Sequence, residues 1–151
     1  MTYYIIKTDS NNPDFHLLVA QLDAHFKELN GEKDAFYAQY NQLDTIKNVV
    51  IAYDNGTPIG CGAIKKYVHN TMEIKRMYIL PAFRGQGIAS SILRNLERWA
   101  TQLGYSETIL ETLKSGDNVV ALYVKNGYQI IPNYGQYTDV ETSVCMNKKL
   151  S

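Results

Sequence analysis

Glu73-Ile-Lys-Arg-Met-Tyr-Ile-Leu-Pro-Ala-Phe-Arg-Gly-Gln-Gly-Ile-Ala89 is the stretch that decides the fold. Met72 to Leu80 reads as a strand, Pro81-Ala-Phe as a short turn, and Arg84 to Gly87 as a glycine-rich loop. From Ile88 the apolar residues fall three or four apart. Ile88, Ile92, Leu96, Trp99 and Leu103 mark one face of a long helix that starts just after Gly87 and ends near Gly104. Such a helix presents its first amide groups, which have no intrahelical acceptor, beside residues without side chains. The helix dipole puts partial positive charge there, and Arg84 adds a forked donor. The segment predicts a seat for a diphosphate.

Upstream, residues 2–8 read as a strand ending in the turn cluster Asp9-Ser-Asn-Asn-Pro13. Phe15, Leu18, Leu22, Phe26 and Leu29 give Asp14 to Leu29 a helical period; Pro13 suits its first turn and Asn30-Gly31 closes it. A second, weaker helix is predicted over Lys33 to Tyr40. Val49 to Tyr53 and Ile59 to Val68 are strands joined by Asp54-Asn-Gly-Thr-Pro58, a hairpin signal. Downstream come a strand at Thr108 to Leu113, a helix at Asp117 to Asn126 capped by Gly127, a strand at Tyr128 to Ile131, and a last strand over Val140 to Leu150. Hairpins followed by βαβ units imply an α/β (α+β) class: a mixed seven-stranded sheet with about four helices, antiparallel first and parallel near the middle. The crossovers are right-handed.

The 151 residues suit a single domain able to bury a core. With 15 basic and 15 acidic residues the formal charge is zero, which argues against nucleic acid as a partner, because neutralising phosphates takes a surplus of Lys and Arg. Neither a membrane span nor a signal peptide is read, so no membrane partner is expected and the cytoplasm is the default. Cys61 and Cys145 lie in apolar runs and read as core thiols. His16, His25 and His69 have no metal-site spacing, so no metal is expected, and Lys65-Lys66 and Lys148-Lys149 read as solvated strand ends.

Three diphosphate-binding designs compete for the loop. A P-loop needs Lys then Ser or Thr after its last glycine, where this chain has Ile88 and Ala89. The dinucleotide fingerprint is a near miss, with Gly85, Gly87 and then Ser90, and Glu111 lying about where a ribose-binding acid falls; but Pro81-Ala-Phe-Arg separates it from its strand. The third design fits. Arg84-Gly-Gln-Gly-Ile-Ala89 resembles the R/Q-x-x-G-x-G/A signature of the GNAT superfamily of acyl-CoA N-acyltransferases. Arg76-Met-Tyr-Ile-Leu-Pro-Ala-Phe83 is similar to that family's central strand and turn, and Ala121-Leu-Tyr-Val-Lys-Asn-Gly-Tyr128 resembles its A-L-Y-x-K-x-G-F/Y segment. Two motifs in order, at the right separation, make a strong signal.

The resemblance implies a GNAT-like three-layer fold and acetyl-CoA as co-substrate. It implies that Arg84, Gly85, Gln86, Gly87, Ile88, Ala89 and Ser90 hold the diphosphate. It further implies that the strands around Met77 and Thr112 splay apart, with the pantetheine arm along Met77, Tyr78 and Ile79. Tyr123 matches the family's general acid for the leaving thiolate. Glu73, eleven residues before Arg84, is the candidate base. The asparagine that many members carry seven residues before the tyrosine is here Gly116, with Asn118 two residues on, so that pantetheine contact is not carried over. In this fold the loop holding Tyr134 and Tyr137 often borders the acceptor pocket, which makes both candidate substrate contacts.

The expected activity is direct acetyl transfer to an amine of a small molecule or peptide in a ternary complex. The competing reading is a catalytically degenerate acyl-CoA-binding sensor or partner module, against which the retained Tyr123 and Glu73 speak. Homodimers are common in the family and stand as an expectation for this chain.

Overall fold

A computed structural model describes residues 2–30 and 46–151. The helix expected over Lys33 to Tyr40 lies outside the described residues. Seven strands form one sheet: β1 (Tyr4–Thr8), β2 (Asn48–Asp54), β3 (Thr57–Val68), β4 (Thr71–Ile79), β5 (Glu107–Leu113), β6 (Gln129–Ile131) and β7 (Ser143–Lys149). Their order across the sheet is β1-β2-β3-β4-β5-β7-β6. Among the described residues there are three α-helices, α1 (Pro13–Asn30), α2 (Ile88–Gln102) and α3 (Asp117–Lys125). By its contacts the chain divides into two compact units, Met1–Ile64 with Arg76–Leu96, and Lys65–Lys75 with Glu97–Ser151.

In the first unit, β1 pairs antiparallel with β2, and β2 with β3. The β2–β3 turn places Asn55 at φ 52° and Gly56 at φ 80°. Positive φ at both central residues is the type I′ geometry, whose twist matches the strands it joins. Side-chain alternation then sorts the two faces of β3. Cys61 and Ala63 join Phe15, Leu18, Val19 and Leu22 of α1 in one buried cluster. Gly62 faces α2 instead: a methyl group there would sit 2.6 Å from Met77 Sδ and 2.9 Å from Leu96 Cδ1. Glycine is what lets α2 lie this close to the strand. Tyr53 donates to Asp14 Oδ2 at 2.5 Å and stacks on Tyr4, tying α1 to the sheet.

In the second unit, β5 runs parallel to the start of β4, pairing Thr71–Glu73 with Glu107–Ile109. It runs antiparallel to β7 along its whole length, and β6 closes the edge against β7. One buried network fixes this unit. The Tyr128 hydroxyl donates to Glu97 Oε2 at 2.9 Å, so the Thr108 hydroxyl must donate to it, at 2.7 Å. Lys148 completes the network through Glu97 Oε1, also at 2.9 Å. Lys148 is therefore a structural cation and not the solvated strand end expected from sequence.

Candidate active site

The glycine loop belongs to the first unit. After β4, Pro81–Phe83 makes one 3-10 turn, closed by the Arg84 N–H on the Pro81 carbonyl at 3.3 Å. Gly85 and Gly87 follow at φ 78° and 82°, each with no atom within 4 Å of a built Cβ. The helical ladder of α2 starts with the Ser91 N–H on the Gly87 carbonyl, at 3.1 Å. The amides of Gly87, Ile88 and Ala89 thus precede the ladder, at the positive end of a 15-residue helix. The side chain of Ile88 is buried and anchors the loop, while Arg84 to Gly87 are exposed and Ala89 and Ser90 partly so. The Arg84 Nε donates to the Ile79 carbonyl at 2.9 Å, and its guanidinium lies 5.5 Å from the Tyr78 ring centroid. This holds the charge beside the loop instead of letting it swing free. Open space, positive φ and unladdered amides fit a diphosphate.

One residue of β4 departs from strand geometry. Arg76 has φ 58°, a left-handed conformation that costs a non-glycine residue about 1–2 kcal/mol. Its guanidinium is held by Asp23 of α1 at 2.7 Å, and its carbonyl accepts from the Cys61 thiol at 3.3 Å. Burial pushes that thiol up to about 12, with the Arg76 charge opposing, so Cys61 stays a donor. The distortion immediately precedes Met77, which is half-buried, and Tyr78 and Ile79, which are buried.

The second unit gathers acids and tyrosines. Glu73, only 7% exposed, accepts from the Tyr134 hydroxyl at 2.6 Å and lies 3.6 Å from Lys75 Nζ. Tyr134 is held in turn by edge contacts with Tyr67 and Tyr137, at centroid distances of 5.0 and 5.8 Å. Tyr137 is 1% exposed, so its ring packs the interior. Burial, then the Glu73 carboxylate, pushes the Tyr134 phenol far up, which keeps it a donor. A cleft of about 460 Å³ opens on the loop between β6 and β7, but its lining, from Lys114 and Ile130 to Val144, includes none of Glu73, Tyr123 and Tyr134. Among the described residues no three His, Cys, Asp or Glu side chains are grouped to hold a metal.

A second carboxyl in this unit escaped the sequence reading as a site residue. Glu111 of β5 accepts from Ser143 Oγ at 2.6 Å, and desolvation raises it from 4.5 to about 7; the Ser143 bond and Lys75 oppose the rise and Glu73 adds to it. A lone acid inside the apolar run Thr108 to Leu113 was the available signal. The native state holds the proton more tightly than the unfolded chain. This stabilisation is therefore complete below pH 4.5 and is lost as pH rises through about 7. One pKa unit is worth about 1.4 kcal/mol, so the loss is on the order of 3 kcal/mol. Urea unfolding at pH 5 and pH 8 is expected to show that loss in the wild type and not in Glu111→Gln.

Tyr123 sits in the last turn and a half of α3, 4% exposed, with its ring edge-on to Tyr128 at 5.6 Å. The end of this helix explains the spacing of the A-L-Y segment. Gly127, at φ 94°, donates to the Val124 carbonyl, and the Tyr128 N–H donates to the Tyr123 carbonyl, each at 3.0 Å. These are the two bonds of a Schellman motif, which needs a left-handed residue at that place. They fix Tyr123 relative to the strand that follows. Burial, then the Glu111 carboxylate, pushes its phenol well above 10. At the other end of α3, Gly116 offers its carbonyl to the Val119 and Val120 amides and brings no side-chain cap.

Comparison with known proteins adds to this geometry. The family model described as the Acetyltransferase (GNAT) family matches residues 15–128. An IAA acetyltransferase of Azospirillum brasilense is 30% identical over 141 residues, covering 88% of both chains. A crystal structure of a Klebsiella pneumoniae protein assigned to the acyl-CoA N-acyltransferases superposes with a TM-score of 0.83 at 30% identity, over 99% of each chain. The PaiA N-acetyltransferase of Thermoplasma acidophilum, solved in complex with coenzyme A, gives a TM-score of 0.73 at 20% identity, again over 99% of each chain, and supports the fold alone.

Proposed function

Because the chain belongs to the acetyltransferase (GNAT) family, we propose that this acyltransferase moves the acetyl group of acetyl-CoA onto an amine of a small molecule or peptide, directly and within a ternary complex. The loop carries the reading: Gly85 and Gly87 at positive φ, open to solvent, lead into the unladdered amides of α2. Arg84 through Ser90 would hold the diphosphate there, and the backbone of Met77, Tyr78 and Ile79 would line the pantetheine arm. Two buried free thiols, Cys61 and Cys145, suit a reducing compartment such as the cytoplasm.

Acetyl-CoA supplies an activated acetyl thioester; the residues manage protons and position. An alkylammonium has to lose a proton before its nitrogen can attack, and Glu73 is the acceptor for it. As the new C–N bond forms and the C–S bond breaks, the electron pair leaves on sulfur, and Tyr123 holds a proton at Oη for that thiolate. Amide formation takes a second proton from the nitrogen, which passes to solvent; Glu73 returns its proton to solvent and Tyr123 draws one back, so the net release is one proton per acetylated ammonium. Both side chains are buried, which strengthens each interaction by excluding water.

The test is a panel of amines, amino acids, polyamines and short peptides incubated with acetyl-CoA, read by release of free CoA thiol and by product mass. The expected result is one CoA released for each amide formed on at least one acceptor class. Tight acetyl-CoA binding with no product across the panel would replace the enzyme with a sensor of the cofactor.

A further inference from the structure

The sequence marks Tyr134 as a residue that touches substrate, but its hydroxyl is already engaged. It donates to Glu73 Oε2 at 2.6 Å, across 61 positions of chain. The ring is held on two sides, by Tyr67 from the end of β3 and by Tyr137 from the same loop. The other oxygen of Glu73 faces Lys75 at 3.6 Å. A buried carboxylate on a strand has several rotamers open to it. With one oxygen bound to a braced phenol and the other beside an ammonium, this one has its plane defined.

We infer that Tyr134 is the positioning residue of Glu73: it aims the carboxylate at the acceptor's ammonium, and the β6–β7 loop acts on turnover through this one hydrogen bond. The inference rests on the reading of Glu73 as the base. Among the described residues, Lys75 on the same strand, Glu111 on β5, Cys145 on β7, and Tyr134 and Tyr137 of the loop lie within electrostatic reach of Glu73. Of these, Tyr134 donates a hydrogen bond to Glu73, at 2.6 Å. Positioning and substrate contact make opposite kinetic predictions. A hydroxyl that bound the amine equally in ground and transition states would, when removed, raise the amine KM and spare kcat. A hydroxyl that orients the base would, when removed, lower kcat and leave the KM of both substrates near its starting value.

Tyr134→Phe keeps the ring and its two edge contacts, so the loop retains its packing. It is expected to lower kcat about ten- to a hundredfold, the scale on which misplacement of a catalytic group is felt. The decisive measurement is a double-mutant cycle with Glu73→Gln, and with Glu73→Asp as a second variant whose shorter side chain draws the carboxylate out of the bond. In either background the further effect of Tyr134→Phe should shrink to within about twofold, since the residue acts only through Glu73. Acetyl-CoA-induced thermal stabilisation, measured on every variant, reports that each is folded and loaded. An undiminished kcat in Tyr134→Phe, or an equal loss in all three backgrounds, would overturn the positioning role while leaving Glu73 as base. Full turnover in Glu73→Gln would instead remove the base assignment itself, and the inference with it.

Discussion

Gly87→Glu is expected to abolish the thermal stabilisation that acetyl-CoA gives the wild-type protein. A ligand at a hundred times its dissociation constant adds about 2.7 kcal/mol to the folded state, a rise of several degrees in midpoint for a domain of this size. Gly87 has φ 82° and nothing within 4 Å of a Cβ placed there, so the first carbon of a new side chain collides with no neighbour. Two effects remain. Holding a non-glycine residue at that φ costs about 1–2 kcal/mol, or the loop relaxes and turns its amides away. A carboxylate also enters the space that the unladdered amides of α2 offer to phosphate, placing like charge against like. Gly87→Ala isolates the first effect and should bind acetyl-CoA roughly tenfold more weakly. Gly87→Glu adds the second and should show no shift at the same ligand concentration. NAD and ATP should stabilise neither the variants nor the wild type. Acetyl-CoA binding to Gly87→Glu at wild-type strength would place the diphosphate elsewhere and remove the loop from the site.

What was legible in the sequence is what the chain decides over a few residues. The turn at Asn55-Gly56, the loop from Arg84 to Gly87 and the stop at Gly127 all have the positive φ angles that their glycines and asparagine announce. The period of Phe15, Leu18 and Leu22 announces α1 in the same way, and these residues are buried as a set. Strand ends are decided by partners, and there the reading drifted. β1 begins at Tyr4 and not at residue 2 because Tyr4 pairs with Tyr53, at the point where β2 gives way to its hairpin. β7 begins at Ser143 and not at Val140 because the Asn133 side chain donates to the carbonyls of both Val140 and Ser143, at 3.1 and 3.2 Å. That clamp holds the chain out of the sheet, and alternation of side chains does not reveal it.

The site divides along the same line. The glycine loop proposed to hold the diphosphate is one local segment whose backbone the sequence announces, whereas the surroundings of the acids are assembled from distant pieces. Glu73 meets Tyr134, Glu111 meets Ser143, and Arg76 meets Asp23, all across more than thirty positions. Composition and spacing carry nothing about such pairs. The sequence could name Glu73 and Tyr134 separately; only the fold shows a phenol aimed at a carboxylate. It also shows what holds Arg76 at its left-handed φ: an ion pair to Asp23 of α1 and a bond from a buried thiol. Polar groups in apolar strands are the one trace such pairs leave, and Glu111 and Ser143 both stand in such strands.

Tyr123→Phe is expected to lower kcat by about 10²- to 10⁴-fold, the range for loss of a positioned general acid, with the stabilisation by acetyl-CoA unchanged. The variant is structurally mild. Phenylalanine keeps the edge contact with Tyr128 at 5.6 Å, and the bond from the Tyr128 N–H goes to the backbone carbonyl of residue 123, which the substitution does not touch. What is lost is one proton. Burial and Glu111 hold the phenol well above its ordinary 10, so it is a full donor across the working range and contributes no alkaline limb to the rate profile below pH 10. The raised phenol is a weaker acid than a simple thiol, so at rest it donates only a hydrogen bond, and its proton is drawn off by the charge that develops on the departing thiolate. The size of the defect should therefore follow the leaving group. A simple thiol with a pKa of about 8.5 needs the proton, whereas an acetyl thioester of a much more acidic thiol departs as a stable anion and should be slowed far less by the variant. A convergence of wild-type and Tyr123→Phe rates on such a donor would identify proton delivery to sulfur as the role. An equal defect on both donors would move the role of Tyr123 from the leaving group to the shape of the site. Full activity on acetyl-CoA would leave it a core tyrosine, with the thiolate leaving unprotonated.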